Sequence, residues 1–215
     1  MPTGNPVKKP ADGENADTAI YVLSRVAGEG ADRNAAKGDY YLKDDEHQML
    51  SDLCAYYKNV IVAVNAGGQV DLSFMDEFAN IKALLVIVQP GMEGGNAFAD
   101  VISGKVNPSG KLVDSWAYKY EDYPSAATFS HNNGNVEKEL YEEGIYVGYR
   151  YFDTFNVPVR YGFGYGLSYT TFAFENEKIE LVRKNNNNND KIRTTVSVKN
   201  TGSVAGKEVV QVYAS

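Results

Sequence analysis

The chain has 215 residues, and at ~150 residues per domain that length leaves room for one to two domains. With 21 Lys and Arg against 28 Asp and Glu the net charge is −7, which leaves no surplus cation for phosphates and argues against a nucleic-acid or anionic-membrane partner. A hydrophobic share of 43% and a charged share of 23% exclude global disorder, and the longest apolar run, residues 83–88, falls far short of the ~20 needed to cross a bilayer.

Residues 1–16 are polar, rich in Pro, Gly, Asp and Asn, and lack the apolar core of a secretory signal. They read as a flexible leader. An apolar run follows at 19–26 (AIYVLSRV), then a glycine-rich loop. Residues 44–57 carry Met49, Leu50, Leu53, Cys54 and Tyr57 at a 3–4 spacing, which predicts an amphipathic helix. Asp44, Asp45 and Glu46 sit where acids favour a helix start. A second apolar run at 60–64 (VIVAV) leads into Asn65-Ala66-Gly67-Gly68. Phe74, Phe78 and Ile81 mark a short helix, and a third run at 83–88 (ALLVIV) leads into Gln89-Pro90-Gly91. Ala97, Phe98, Val101 and Ile102 predict another helix, stopped by Gly104. Short runs that are apolar throughout suit strands buried on both faces. Their alternation with helices predicts an α/β fold with a mostly parallel sheet and helices on both faces. Residues 112–116 are read as an added edge strand.

The pattern changes after residue 117. Residues 118–143 are polar and aromatic with no clear period, and 144–171 are dense in Gly and Tyr. From Phe172 the chain alternates like an antiparallel β protein, through Phe172/Phe174, Ile179/Leu181, 195–198 and 209–213. Five asparagines at 185–189 read as a turn. About 44 residues remain from 172, whereas an immunoglobulin-like sandwich needs ~100. The expected domains are therefore 17–171 and an incomplete antiparallel β-sandwich at 172–215, in a chain that is a piece of a longer protein.

Ligands of open α/β sheets bind beyond the carboxyl ends of the strands. The loop after the first strand, Ala27-Gly28-Glu29-Gly30-Ala31-Asp32-Arg33, places a carboxylate between two glycines there. A dinucleotide fingerprint does not fit, because the third glycine is missing and Glu29 would repel a pyrophosphate. On the residues alone, Glu29 is either a solvated loop acid or the acid of a site. Asp32 and Arg33 read as a local ion pair, Glu93 as a capping acid, Arg150 and Asp153 as a pair or as turn ligands, and Trp116 as core. His47 and His131 adjoin no nucleophile motif, so a catalytic triad is not expected. The single cysteine, Cys54, and two histidines supply neither a disulfide nor a zinc set, and no cofactor or metal is expected.

In sum these residues resemble glycoside hydrolase family 3, the β-glucosidase and β-xylosidase group. AGEGADR at 27–33 is similar to the family's S-G-E-G-x-D-R loop, with Ala27 for the usual serine and Ala31 for the usual tyrosine. VIVAVNAGGQVDL at 60–72 resembles its V-V-V-L-N-x-G-x-P-V-D segment, and QPGMEGGNAFADVISGKVNPSGKL at 89–112 its glycine-rich x-E-G-G to N-P-S-G-K-L block. YEEGIYVGYRYFD at 141–153, YGFGYGLSYTTF at 161–172 and NTGSVAGKEVVQVY at 200–213 are similar to later blocks in the same order, the last opening a fibronectin type III-like domain. The resemblance covers roughly residues 17–215.

The resemblance implies a retaining exo-β-glycosidase, most simply a β-glucosidase, acting on a β-linked glucoside or short oligosaccharide. It implies that Glu29 is the general acid/base, and that a (β/α)₈ barrel supplies the aspartate nucleophile and most sugar contacts. No stretch of this chain matches that barrel or its nucleophile motif. Alone, the chain is expected to be inactive. A β-xylosidase or arabinofuranosidase of the same family is one alternative. A non-catalytic carbohydrate- or protein-binding module, with residues 118–169 as its face, is another. The side on which the barrel lies, the sugar specificity and the compartment, cytoplasmic or secreted, stay open.

Overall fold

The computed structural model describes residues 7–11, 16–26, 32–183 and 190–214. The chain forms two compact units, Met1–Gly95 with Ser115–Tyr161, and Asn96–Asp114 with Gly162–Ser215. The first is built on a parallel three-stranded sheet of β1 (Thr18–Ser24), β2 (Asn59–Asn65) and β3 (Ile81–Val86), in that spatial order. Thr18 pairs with Asn59 and Ser24 with Asn65, while Val62 pairs with Leu84.

Central β2 is buried on both faces, with Val60, Val62, Ala63 and Val64 fully enclosed. Edge strand β1 alternates instead. Ala19, Tyr21 and Leu23 are buried beside Val60, Val62 and Val64, whereas Ile20 and Val22 remain 45% and 48% exposed. An edge strand has a neighbour on one side only, so its outer-face side chains are screened by one strand rather than two.

Helix α1 (Asp44–Tyr56) matches the sequence expectation to one residue. Its buried anchor is Leu50, and it packs against β2. At its start Glu46 accepts the Lys43 backbone N–H at 2.8 Å, satisfying one of the donors a helix start leaves over. At its end the Asn80 side-chain amide donates to the Cys54 and Tyr57 carbonyls, both at 2.8 Å. The Asn80 backbone accounts for a difference from the sequence reading. Helix α2 is shorter than expected, Phe74–Glu77, and Ile81 opens β3. The Asn80 carbonyl accepts the Val60 N–H at 2.8 Å, so parallel pairing has begun before residue 81 is reached.

Helix α3 (Gly94–Ile102) follows and ends before Gly104, whose φ of 76° suits glycine. The edge strand expected at 112–116 is reduced to β4 (Trp116–Ala117), which pairs antiparallel with β5 (Val159–Tyr161) and not with the parallel sheet. Between them, helix α4 (Tyr149–Phe155) buries Phe152 and ends at Asn156 in the left-handed conformation.

In the second unit β6 (Phe172–Val182) and β7 (Lys191–Asn200) form an antiparallel hairpin. The asparagine run at 185–189 lies outside the described residues. The Asn107 side chain accepts the Ser168 hydroxyl and the Tyr169 N–H and donates to the Ala205 carbonyl. The strand expected at 209–213 is not formed; among the described residues none after Asn200 is in a strand. Glu208 instead accepts the N–H of its neighbour Val209 at 2.8 Å and the Lys111 ammonium at 3.0 Å.

Tyr21 provides a test of the buried sheet face. Burial, reinforced by the Glu46 carboxylate, pushes its hydroxyl up to about 12 from 10.0. Between those values the folded chain keeps a proton that the unfolded chain has lost, so stability falls as pH rises through that window. We expect the urea midpoint of the wild type to fall more steeply from pH 10 to 12 than that of Tyr21→Phe; parallel curves would show that the phenol is solvated.

Candidate functional site

The first residues past β1 set the geometry at the carboxyl end of the sheet. Arg25, only 6% exposed, makes a bidentate pair with Glu46, Nη1 and Nη2 each 2.8 Å from a carboxylate oxygen. Its remaining hydrogens go to the carbonyls of Ser24 (2.8 Å), Tyr41 (3.2 Å) and, from Nε, Asp39 (2.6 Å). Glu46 lies in the first turn of α1, where a carboxylate is also favoured by the helix dipole. One side chain thus joins the end of β1, the turn at 34–41 and the start of α1.

Residues 27–31, with the expected site acid Glu29, lie outside the described residues. The chain re-enters at Asp32, and Arg33 forms a second knot. Its Nε donates to the Asp39 carboxylate at 2.5 Å, Nη2 to the Asp39 carbonyl at 2.8 Å and Nη1 to the Gln69 carbonyl at 2.7 Å. Among the described residues, Arg33 pairs with Asp39 rather than with the neighbouring Asp32 expected from sequence. Asp39 takes the guanidinium because its carboxylate also accepts the Asn34 N–H at 2.5 Å, and the turn through Gly38, at φ 88°, presents it there. Both arginines therefore converge on the Asp39 carbonyl, one from each side of the loop. Gly68 lies close enough that a Cβ would sit 3.3 Å from Arg33 Nη1.

Beside these knots is a cavity of about 420 Å³. One wall comes from residues 32–34 and 68–69, past the ends of β1 and β2; the other comes from 120–129. Tyr40 and Tyr120 meet edge to face at 5.2 Å, and Tyr120 and Tyr123 at 6.4 Å. The Tyr123 hydroxyl accepts the Ala117 N–H at 3.0 Å, and Tyr123 packs on Phe152 at 5.8 Å. Burial first, then the neighbouring Tyr123 and Asp71, raises the Tyr40 hydroxyl far above its ordinary value. The Tyr40 phenol therefore stays a neutral donor and acceptor throughout the physiological range.

The other sequence candidates lie apart from the cavity. His47 pairs with Glu77 at 2.7 Å across from α1 to α2, and His131 bonds the Asn135 carbonyl at 2.8 Å. Glu93 precedes α3. Trp116 is buried as core and pairs with Tyr161. Arg150 and Asp153 share α4, and among the described residues they form no ion pair with each other. Burial raises the Cys54 thiol, which favours its inert form. Sequence reasoning missed Asp39, and it held Tyr120, Tyr123 and Phe129 only within the 118–169 face of the binding-module alternative. Asp39 carries no motif signal; the wall was signalled only by aromatic density in a stretch without period.

The Arg25–Glu46 pair yields a direct test. Removing one partner of a buried ion pair leaves an uncompensated charge and costs roughly 3–5 kcal/mol. We expect Arg25→Ala to lose that much in urea unfolding, and Arg25→Lys to recover little, because an ammonium cannot reproduce the fork. A loss below about 1 kcal/mol is the mark of an exposed, screened pair and would remove Arg25 from this role.

Comparison with known proteins places this geometry in a family. The family model of the glycosyl hydrolase family 3 C-terminal domain matches residues 6–149. A β-glucosidase of Ruminococcus albus is 42% identical over 214 residues, covering 99% of this chain and 21% of that protein. β-Glucosidase A of Butyrivibrio fibrisolvens is 40% identical over 234 residues, covering 93% and 28%. Among solved structures, β-glucosidase 3B of Thermotoga neapolitana in complex with glucose superposes with a TM-score of 0.79 at 40% identity, over 88% of this chain and 26% of that one. A β-glucosidase of Paenibacillus barengoltzii gives 0.80 at 40% identity, over 87% and 20%. The chain spans about a quarter of the length of these relatives. It belongs to glycosyl hydrolase family 3, as a carrier of that family's C-terminal domain.

Proposed function

We propose that this chain is the part of a retaining exo-β-glucosidase that supplies the general acid/base, Glu29, to an active site completed by a (β/α)₈ barrel outside it. The observation that carries the reading is the pair of fixed loop ends. Arg25 and Arg33, which flank Gly28-Glu29-Gly30 in sequence, are both anchored on the Asp39 carbonyl, past the carboxyl end of β1 where such sheets bind ligands. The β-glucosidase relatives favour a β-linked glucoside or short oligosaccharide over a xyloside or arabinofuranoside. In this reading residues 17–171 belong to the α/β domain and 172–215 open a fibronectin type III-like domain.

The chemistry needs two carboxyl groups ~5–5.5 Å apart across the scissile bond. The barrel's aspartate attacks the anomeric carbon as the bond to the leaving oxygen breaks. Glu29 gives its proton to that oxygen. In the second half-reaction the Glu29 carboxylate takes a proton from water, and the resulting nucleophile releases the sugar with its original configuration. Desolvation on closing against the barrel raises the carboxyl pKa, which keeps the acid protonated near neutral pH. This chain by itself lacks the nucleophile, so it should not hydrolyse nitrophenyl glucosides.

The test is made in the full-length enzyme. Glu29→Ala should lower kcat/KM for substrates with poor leaving groups by roughly 10²–10⁴-fold, the worth of general acid assistance, and spare kcat/KM for dinitrophenyl glucoside, whose leaving group needs no proton, while kcat for that substrate falls because the base of the second step is gone. Azide needs no general base and should restore turnover, yielding the β-glucosyl azide. Equal loss across leaving groups without that azide product would assign the role to another residue.

A further inference from the structure

The sequence contains a single Asn-Gly step, Asn133-Gly134, and it falls in the irregular stretch between β4 and α4. Residues 132–140 are exposed and lie in no helix or strand. Gly134 has a φ of 78°, and among the described residues nothing lies within 4 Å of the place a Cβ would take. The Asn133 side-chain oxygen accepts the Asn135 N–H at 3.0 Å. We propose that Asn133 is a site of spontaneous covalent modification, at which the side-chain amide is lost as ammonia and the residue becomes aspartate or isoaspartate.

The step needs only water. The Gly134 nitrogen gives up its proton and bonds to the Asn133 Cγ. The Cγ–Nδ2 bond breaks, the nitrogen leaves as ammonia, and a succinimide ring remains. Water then opens the ring at one of its carbonyl carbons. Opening at Cγ gives aspartate; opening at the backbone carbonyl gives isoaspartate, with the main chain rerouted through the side chain. Either product carries one more negative charge than asparagine. The attacking nitrogen belongs to a glycine, which has no side chain to shield it or to restrict its approach. Asn132 is followed by another asparagine and Asn135 by β-branched Val136. The Asn135 N–H polarises the Asn133 carbonyl under attack, as a donor aimed at a developing oxyanion does. The Asn135 side-chain oxygen is polarised in the same way, by the Glu137 and Lys138 N–H groups at 3.1 Å, so the residue that follows is what separates these two asparagines. The turn that must open is weakly held. The Gly134 N–H donates to the His131 carbonyl at 2.7 Å, and Ser130 and His131 before it take left-handed φ values of 53° and 61°, which strain a residue that carries a Cβ. One exposed hydrogen bond contributes little net stability, so breaking it slows the reaction by less than about ten-fold.

The experiment incubates the full-length enzyme in heavy-oxygen water beside a synthetic peptide of residues 120–138, the tryptic fragment that starts after Lys119 and ends at Lys138. Ring opening leaves one heavy oxygen atom behind. After digestion in ordinary water, fragmentation mass spectrometry assigns that atom to a residue. We expect label at residue 133 of the folded enzyme at a rate within about ten-fold of the peptide's. The rate should rise with hydroxide concentration, because the attacking nitrogen must lose its proton, and label at Asn132 and Asn135 should lag behind. Asn133→Gln should abolish the label at that position, since its extra methylene would require a larger ring. The labelled enzyme should also elute from an anion exchanger as a more acidic species. An enzyme rate more than about ten-fold below the peptide's would show that the fold protects the step and would overturn the proposal. Label at Asn132 or Asn135 as strong as at residue 133 would overturn it too, as would label that persists at residue 133 in Asn133→Gln.

Discussion

The buried guanidinium of Arg25 is the constraint on which the carboxyl end of the first unit's parallel sheet depends. Burying a charge is costly, and the cost is met only when every hydrogen is placed. Here the Glu46 carboxylate and the carbonyls of Ser24, Asp39 and Tyr41 place them. Those partners belong to the end of β1, the turn at 34–41 and the start of α1. Their relative positions are therefore set by one side chain.

Arg33 extends the constraint to the loop after β2 through the Gln69 carbonyl. Gln69 passes it on, donating from its side chain to the Ser115 carbonyl at 3.0 Å, next to buried Trp116. Beyond β4, the Tyr123 hydroxyl is tied to Ala117 and its ring to Phe152. The aromatic wall is thus connected to the carboxyl end of the sheet by hydrogen bonds as well as by packing. Preorganised walls of this kind lower the ordering cost of binding.

Much of the first unit was legible in sequence. The apolar runs of β1 and β2 and the 3–4 spacing of α1 are local signals that match their elements closely, and the acids at residues 44–46 marked the helix start. Three features depended on partners distant in sequence. Ile81 follows the helical spacing of Phe74 and Phe78, yet strand pairing through Asn80 and Val60 takes it. Trp116 was legible as core, but its strand pairs with Tyr161 rather than with the parallel sheet, and no local pattern encodes that choice. Asp39 outcompetes adjacent Asp32 for Arg33 because the turn at Gly38 aims it, a matter of backbone shape. The cavity wall at 120–129 has no period because irregular turns and 3₁₀ segments, not one repeating element, present its rings. The family resemblance pointed to Glu29 through a motif, which local spacing alone did not distinguish from a solvated acid.

The central claim is that Glu29 is the proton donor of a shared active site. The pH dependence of kcat/KM in the full-length enzyme tests it most directly, because the limbs of that profile report the ionisations of the free enzyme's essential groups. With the same proton-demanding substrate for the wild type and Glu29→Gln, the account predicts that the wild type loses activity on the alkaline side as Glu29 ionises. The variant should keep the acidic limb of the nucleophile and be flat on the alkaline side. An alkaline limb that persists unchanged in Glu29→Gln would contradict the account.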